Sequence, residues 1–238
     1  MTRTPLILVP GLMCDHAVWS PILPALSAVA ECQVIDHGEA DRIERMAQQV
    51  LDVAPERFAL AGHSMGGRVA LEVVRLAPQR VSRLVLMSTG HLPRASGAAG
   101  EEEARKRYAL LEIARKQGVR AMAQDWVRGM VHPDRLSDAP LMESILAMFA
   151  RKSAADYARQ IHALLERPDA SAVLRQLQCP TLFICGQEDS WSPVSQHQAM
   201  AQLVPGSRAH IAVIPHAGHM CLMEEPTAVA QALTQWLA

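Results

Sequence analysis

Neither sign of charge prevails in this sequence. Twenty-three Lys and Arg stand against 24 Asp and Glu, a formal net charge of -1, and so the general attraction to nucleic acid or to an anionic membrane is missing. Long apolar runs are missing too. The first, Leu6-Ile7-Leu8-Val9, meets Pro10-Gly11, too short for a membrane span of about 20 residues or for a signal peptide, and a cytoplasmic protein is expected. The cysteines Cys14, Cys32, Cys179, Cys185 and Cys221 are odd in number, with no CxxC pair and no metal-ligand spacing. Neither a disulfide framework nor a metal site is expected, and no motif implies an organic cofactor. Aromatic residues make up only 4%, which gives no support for an aromatic pocket. These exclusions leave a small molecule as the expected partner.

What the sequence does contain is a rhythm. Short runs rich in Val, Ile and Leu recur at 6–9, 33–36, 57–61, 83–87, 181–185 and 210–214, mostly separated by segments of helical spacing; strands and helices are predicted to alternate. The runs lack the polar alternation of a half-exposed strand, which predicts an α/β fold with a parallel sheet covered on both faces by helices. The chain of 238 residues fits one domain, or a catalytic core with a modest insertion.

From 92 to 178 the rhythm breaks into helical patterns with almost no strand-like run, predicting a helical cap (92–178) inserted into a core formed by 1–91 and 179–238. Its first helix is expected at 101–117, where Glu101, Glu102 and Glu103 stand four residues before Arg105, Lys106 and Arg107, the orientation that favours helical ion pairs. Pro133, Pro140 and Pro168 punctuate the rest into helices at 122–131, 141–151 and 154–165. Residues 95–100 read as a flexible hinge.

Gly62-His63-Ser64-Met65-Gly66 follows a strand-like run and opens the apolar helical segment 69–77. A GxSxG sequence in that context predicts a sharp strand-to-helix turn that leaves the Ser64 hydroxyl exposed at a helix N-terminus. A serine hydroxyl is a weak nucleophile until a base takes its proton. His219 is the candidate base, because Pro215-His216-Ala217-Gly218-His219 directly follows the last strand-like run, on the same carboxyl edge as Ser64; His216 is the alternative. The base needs an acid to fix its tautomer, and Gly186-Gln187-Glu188-Asp189 offers Asp189, with Glu188 as the alternative.

The order Ser, Asp, His, each on a loop after a strand, resembles the α/β-hydrolase family across essentially the whole chain. The Gly186-x-x-Asp189 spacing, the Ala217-Gly218-His219 run and the GHSMGG elbow are similar to that family's motifs. The resemblance implies a serine hydrolase with Ser64 as nucleophile, His219 as general base and Asp189 as its orienting acid, and an oxyanion hole formed by the backbone N–H groups of Leu12 and Met65. Pro10-Gly11 stands where the family commonly has His-Gly. The chain starts at the strand carrying that loop, so a minimal sheet of about six strands, all parallel, is expected.

The resemblance implies an esterase that cleaves a small or medium-chain acyl substrate through an acyl-enzyme intermediate; small capped members include carboxylesterases and methyl esterases of carrier-bound pimeloyl groups. Related enzymes cleave carbon–carbon bonds or eliminate cyanide from hydroxynitriles with the same triad, and a ligand receptor without turnover is a further alternative. Met13, Trp126, Met130, Met148 and Met220 are candidate pocket residues, with Met122, Met142, Met223 and Phe149. The cysteines read as reduced, mostly buried thiols, with an approach of Cys14 and Cys221 to the pocket and sensitivity to thiol reagents as the alternative. His63 and Arg68 read as packing residues beside the elbow. Arg105, Lys106, Arg107, Arg115, Lys116 and Arg120 read as a solvated face rather than a docking site for an acidic carrier protein.

Overall fold

The computed structural model describes residues 3–237. Its sheet has six strands: β1 (Thr4–Val9), β2 (Ala30–Val34), β3 (Phe58–His63), β4 (Val81–Met87), β5 (Thr181–Gly186) and β6 (Ala209–Ile214). They run parallel in the order β2-β1-β3-β4-β5-β6. The chain moves outward from β1 to β2 and then returns to the other side of β1 for β3. With right-handed crossovers, this reversal puts the first connecting helix on the opposite face from the next ones, and it opens a crevice beyond the carboxyl ends of β1 and β3.

Helices α1 (Leu23–Val29), α2 (Ile43–Val53) and α3 (Met65–Leu76) link the first four strands. Then come α4 (Ala98–Gln117), α5 (Val119–Trp126), α6 (Ala139–Ala150), α7 (Ala154–Leu165) and α8 (Ser171–Arg175) before β5, and α9 (Val194–Leu203), α10 (Cys221–Glu224) and α11 (Pro226–Leu237) after it. Helix α1 packs on α11, while α2, α3, α8 and α9 form a contiguous second group. The sequence dictates this packing: α2 buries Ile43, Met46, Ala47, Val50 and Leu51, an i, i+3, i+4, i+7, i+8 stripe.

The central strands β3 and β5 are buried at every position, as their unbroken apolar runs predict. The edge strands differ. Strand β2 alternates and β6 is largely accessible, because each has a neighbour on one side only. Strand β2 also begins three residues earlier than expected. Ala30 still closes the last turn of α1 onto the Leu26 carbonyl, and beyond Val34 the Asp36 carboxylate accepts from Gly38 N at 2.7 Å, making a turn where the run predicted strand. The supposed hinge at 95–100 is partly helix: Gly97 sits at φ 65° as the N-cap and α4 starts at Ala98. The expected second cap helix ends at Trp126 and continues as a 3-10 turn. None of the described helices is long and apolar enough to cross a membrane.

Candidate active site

The turn around Ser64 is a consequence of close packing. A side chain at Gly62 would place its Cβ 2.2 Å from the Gly66 carbonyl oxygen, and one at Gly66 would sit 2.1 Å from the Val9 carbonyl; both contacts are with backbone. Only glycine fits at either position. Ser64 between them is held at φ 54°, ψ -115°, a costly conformation for a residue with a side chain, and it is half-buried in the wall of a cavity of about 540 Å³.

Ser64 Oγ lies 2.9 Å from His219 Nε2. On its other side the ring places Nδ1 3.0 and 3.1 Å from the two Asp189 oxygens. The Asp189 carboxylate, 2% exposed, also accepts from Trp191 N at 3.0 Å and Ser192 N at 2.9 Å. Burial pushes its pKa upward, but the adjacent His219 and these hydrogen bonds outweigh burial and hold it below the usual carboxylate range, so an anion is available to fix the tautomer. Four strands thus deliver the cluster: Leu12 follows β1, Ser64 follows β3, Asp189 follows β5 and His219 follows β6. Leu12 and Met65 line the same cavity, and their backbone N–H groups donate to no protein acceptor among the described residues. Of the alternatives, Glu188 accepts from Ala217 N at 3.2 Å and His216 is exposed at φ 58°; neither touches Ser64.

A family model described as the alpha/beta hydrolase family matches residues 6–232. The chain belongs to that family. It is 31% identical over 255 residues to the dihydrolipoyllysine-residue acetyltransferase component of the acetoin cleaving system of Pseudomonas putida, covering 98% of this chain and 63% of that protein; the chain thus spans less than two thirds of that relative. It is 28% identical over 233 residues to a pimeloyl-(acyl-carrier protein) methyl ester esterase of Nitrosomonas europaea, with 93% and 90% covered. Among solved structures, a thermophilic esterase from Thermogutta terrifontis with malate bound is similar at a TM-score of 0.86 and 29% identity, with 99% and 90% covered.

The walls of this hydrolase's cavity differ from those expected. Trp126, Met130 and Met220 line it, but Met13 and Met148 do not: both are fully buried in the core. Met13 is turned away by its left-handed backbone, φ 62°, and Met148 sits on the inner face of α6. The pocket is instead aromatic. Trp126, Phe149, Tyr157 and Trp191 line it, with Trp126 stacked on Trp191 at 5.9 Å and Trp191 packed on the His219 ring at 5.1 Å. The few aromatics of the chain are concentrated where composition cannot show it. Cys14 borders the cavity and Cys221 does not. Burial raises the Cys14 thiol to about 12 and the Cys221 thiol further, which removes the thiolate that thiol reagents need.

Three residues that support the site carry no sequence signal. Gln160 of α7, 2% exposed, accepts from Met13 N at 2.7 Å and so ties the loop bearing Leu12 to the helical segment. Glu224, also buried, accepts from Gly218 N at 3.0 Å, Met220 N at 3.1 Å and His132 N at 2.6 Å, clamping the His219 loop from both sides. His63, expected only to pack beside the elbow, lines the cavity and bonds the His219 carbonyl through Nε2 at 2.9 Å. Among the described residues no cluster of three or more His, Cys, Asp or Glu is placed to hold a metal ion.

His63 also sets a stability limit. Burial first, and the neighbouring His219 second, lower its pKa from 6.5 to about 4; burial lowers His37, His91 and His197 as well. In the window between the ordinary histidine value and about 4 the unfolded chain binds the proton and the folded chain does not, so stability falls as pH falls. For His63 the full window is worth about 3 kcal/mol. Urea midpoints measured from pH 7 to 4 are expected to decline, and His63→Gln to decline less steeply. That difference isolates His63 from Glu224, whose burial-raised pKa acts in the opposite sense. Parallel slopes for the two proteins would contradict the assignment.

Proposed function

We propose that this hydrolase cleaves a carboxylic ester of a small or medium-chain acyl group through an acyl-enzyme, with 92–178 acting as a cap over the site. Ser64 Oγ attacks the carbonyl as its proton passes to His219 Nε2. The resulting oxyanion accepts hydrogen bonds from Leu12 N–H and Met65 N–H, a large term when the donors are pre-aimed. His219 then gives its proton to the leaving alcohol. Water enters, loses a proton to His219 and attacks the acyl–Ser64 carbonyl; the acid departs as Ser64 recovers the proton. Asp189 holds the ring in the tautomer that presents Nε2 to Ser64 and stabilises the imidazolium.

The observation that carries this reading is the unbroken chain from Ser64 Oγ through both His219 nitrogens to Asp189, opening on a cavity lined by Leu12 and Met65. The esterase names of the Nitrosomonas and Thermogutta relatives favour the same chemistry. A carrier-bound substrate gains little from surface charge: Arg105, Arg115 and Arg120 are each paired with a glutamate, at 2.7, 3.0 and 2.5 Å. The aromatic walls suit a flat, unsaturated substrate and keep carbon–carbon bond hydrolysis as a second reading.

The test is turnover of p-nitrophenyl esters from acetyl to palmitoyl, combined with intact-mass and peptide mapping after treatment with a fluorophosphonate. Turnover that is fastest with short or medium acyl chains, with one phosphonyl group on Ser64, is the expected result. Labelling of Ser64 without turnover of any ester would move carbon–carbon hydrolysis ahead. No labelling and no turnover would overturn the serine mechanism.

A further inference from the structure

The cavity wall has a second chemical character beyond the nucleophile. Arg68 stands one helical turn after Ser64 on α3, roughly 6 Å along the axis, and both line the same cavity. Its Nη1 donates to the Leu92 carbonyl at 2.8 Å, and it forms no ion pair among the described residues. Arg167, whose side chain is 9% exposed, donates through Nε to the same Leu92 oxygen at 3.3 Å, so two guanidinium groups converge on one carbonyl.

Among the described residues the only carboxylate lining this cavity is that of Glu103. It is already engaged by Arg167 at 2.7 and 2.9 Å and by Arg107 at 2.9 and 3.1 Å. Burial pushes Glu103 upward, yet the hydrogen bonds and charges of Arg167 and Arg107 outweigh it and hold the carboxyl at about 2. Lys106 adds a fourth cation to the lining, paired with Glu102 at 3.5 Å. Burial first and Arg167 second hold the Arg68 guanidinium below the usual arginine range, as expected of a cation lacking its counter-charge. Unpaired charges in a partly dry wall are costly, and a guanidinium has five donors in a planar fork that matches a carboxylate. Gly90 keeps the approach open: a Cβ there would lie 3.1 Å from Arg68 Nη2.

We propose that this wall is an anion-binding subsite, built on Arg68 with Arg107 and Arg167, that selects esters carrying a second, ionised carboxylate a few bonds from the scissile carbonyl. The inference rests on the ester-hydrolase reading for its chemistry, and on the arginine geometry for its specificity. The carboxylate engages the donors of Arg68 that the Leu92 carbonyl leaves free, while the carbonyl carbon is presented to Ser64.

The experiment compares the 4-nitrophenyl monoester of glutaric acid with the corresponding ester of its monoamide, which is neutral and of the same shape. In wild type the anionic ester is expected to be favoured about tenfold to a hundredfold in kcat/KM, the size of a charge-assisted hydrogen bond. Arg68→Gln is expected to bring the ratio close to one, Arg68→Lys to retain part of it, and Arg105→Gln, an exposed site outside the cavity, to leave it intact. Glutarate binding to Ser64→Ala, read by calorimetry and lost on adding Arg68→Gln, gives a measure independent of turnover. Ester turnover with no anion preference and no glutarate binding overturns the subsite and spares the hydrolase reading. Glutarate binding through Arg68 without turnover of either ester does the reverse. Should Arg68→Gln not fold, a graded loss of preference in Arg107→Gln and Arg68→Lys carries the same test.

Discussion

Ser64→Ala is expected to lower ester kcat by about 10⁶-fold, and His219→Ala to lower it equally. The double variant is expected to be no slower than either single one. The reason is geometric: in the proposed mechanism the 2.9 Å contact from Ser64 Oγ to His219 Nε2 joins the two side chains in a single proton-transfer unit, so that removing one is expected to leave the other without a function. Asp189→Asn is a milder lesion, about 10⁴-fold. An amide can turn its nitrogen toward His219 Nδ1, which favours the tautomer with the proton on Nε2, where it faces Ser64 and cannot accept. Residual turnover comes from the Leu12 and Met65 N–H groups and from binding, which none of these changes removes. Progress curves of a p-nitrophenyl ester at saturation measure all four proteins. Losses in the two single variants that multiply in the double one would show that Ser64 and His219 act separately.

The closeness of Ser64, Asp189 and His219 was legible because it follows from local rules and topology. Glycines at 62 and 66 demand a tight turn, and in a parallel sheet all loops after strands meet at one edge. The pocket was legible only in part: Trp126, Phe149, Met130 and Met220 line it as expected, while Tyr157 and Trp191 carried no signal, since its walls come largely from helices whose faces depend on docking. Trp126, Phe149 and Tyr157 sit on α5, α6 and α7, and no periodicity tells which aromatic of such a helix turns toward the site. Met13 and Met148 failed for different reasons, one through a backbone conformation and one through helix rotation. Burial of Glu224 was equally hidden: an acidic residue just after the His219 loop reads as surface, and only the fold reveals three backbone donors waiting for it.

The basic residues of α4 show how a single helix divides its roles. Arg105 projects outward and pairs with Glu102, which Lys106, at the edge of the cavity, also reaches, as the i, i+3 and i, i+4 spacing predicts. One position further, Arg107 joins Glu103 and Arg167 in the partly buried cluster, where the glutamate is shared and cannot neutralise both cations. A run of charges that looks uniform in sequence is thus split by helix geometry into a solvated pair and a buried one.

Gly66→Ala is expected to cost more than 4 kcal/mol or to yield no folded protein, a loss beyond the usual range for one methyl group. The added Cβ would meet the Val9 carbonyl oxygen at 2.1 Å and the Pro10 carbonyl oxygen at 2.7 Å. Neither can yield easily, because Val9 is paired with Gly62 in the β1–β3 ladder and Pro10 opens the loop carrying Leu12. Relaxation must therefore separate α3 from β1, moving the Met65 N–H and the Leu12 N–H apart along with the elbow between them. Gly97→Ala serves as the comparison. Gly97 has a positive φ of 65°, which Gly66 lacks, but nothing within 4 Å of its Cβ position, so it is expected to lose only the backbone strain of about 1–3 kcal/mol. Urea unfolding of both variants beside wild type separates the effects. A Gly66→Ala protein no less stable than Gly97→Ala would mean that the elbow can open without disturbing the sheet, and the Ser64 backbone would then not be held by the close approach of α3 to β1.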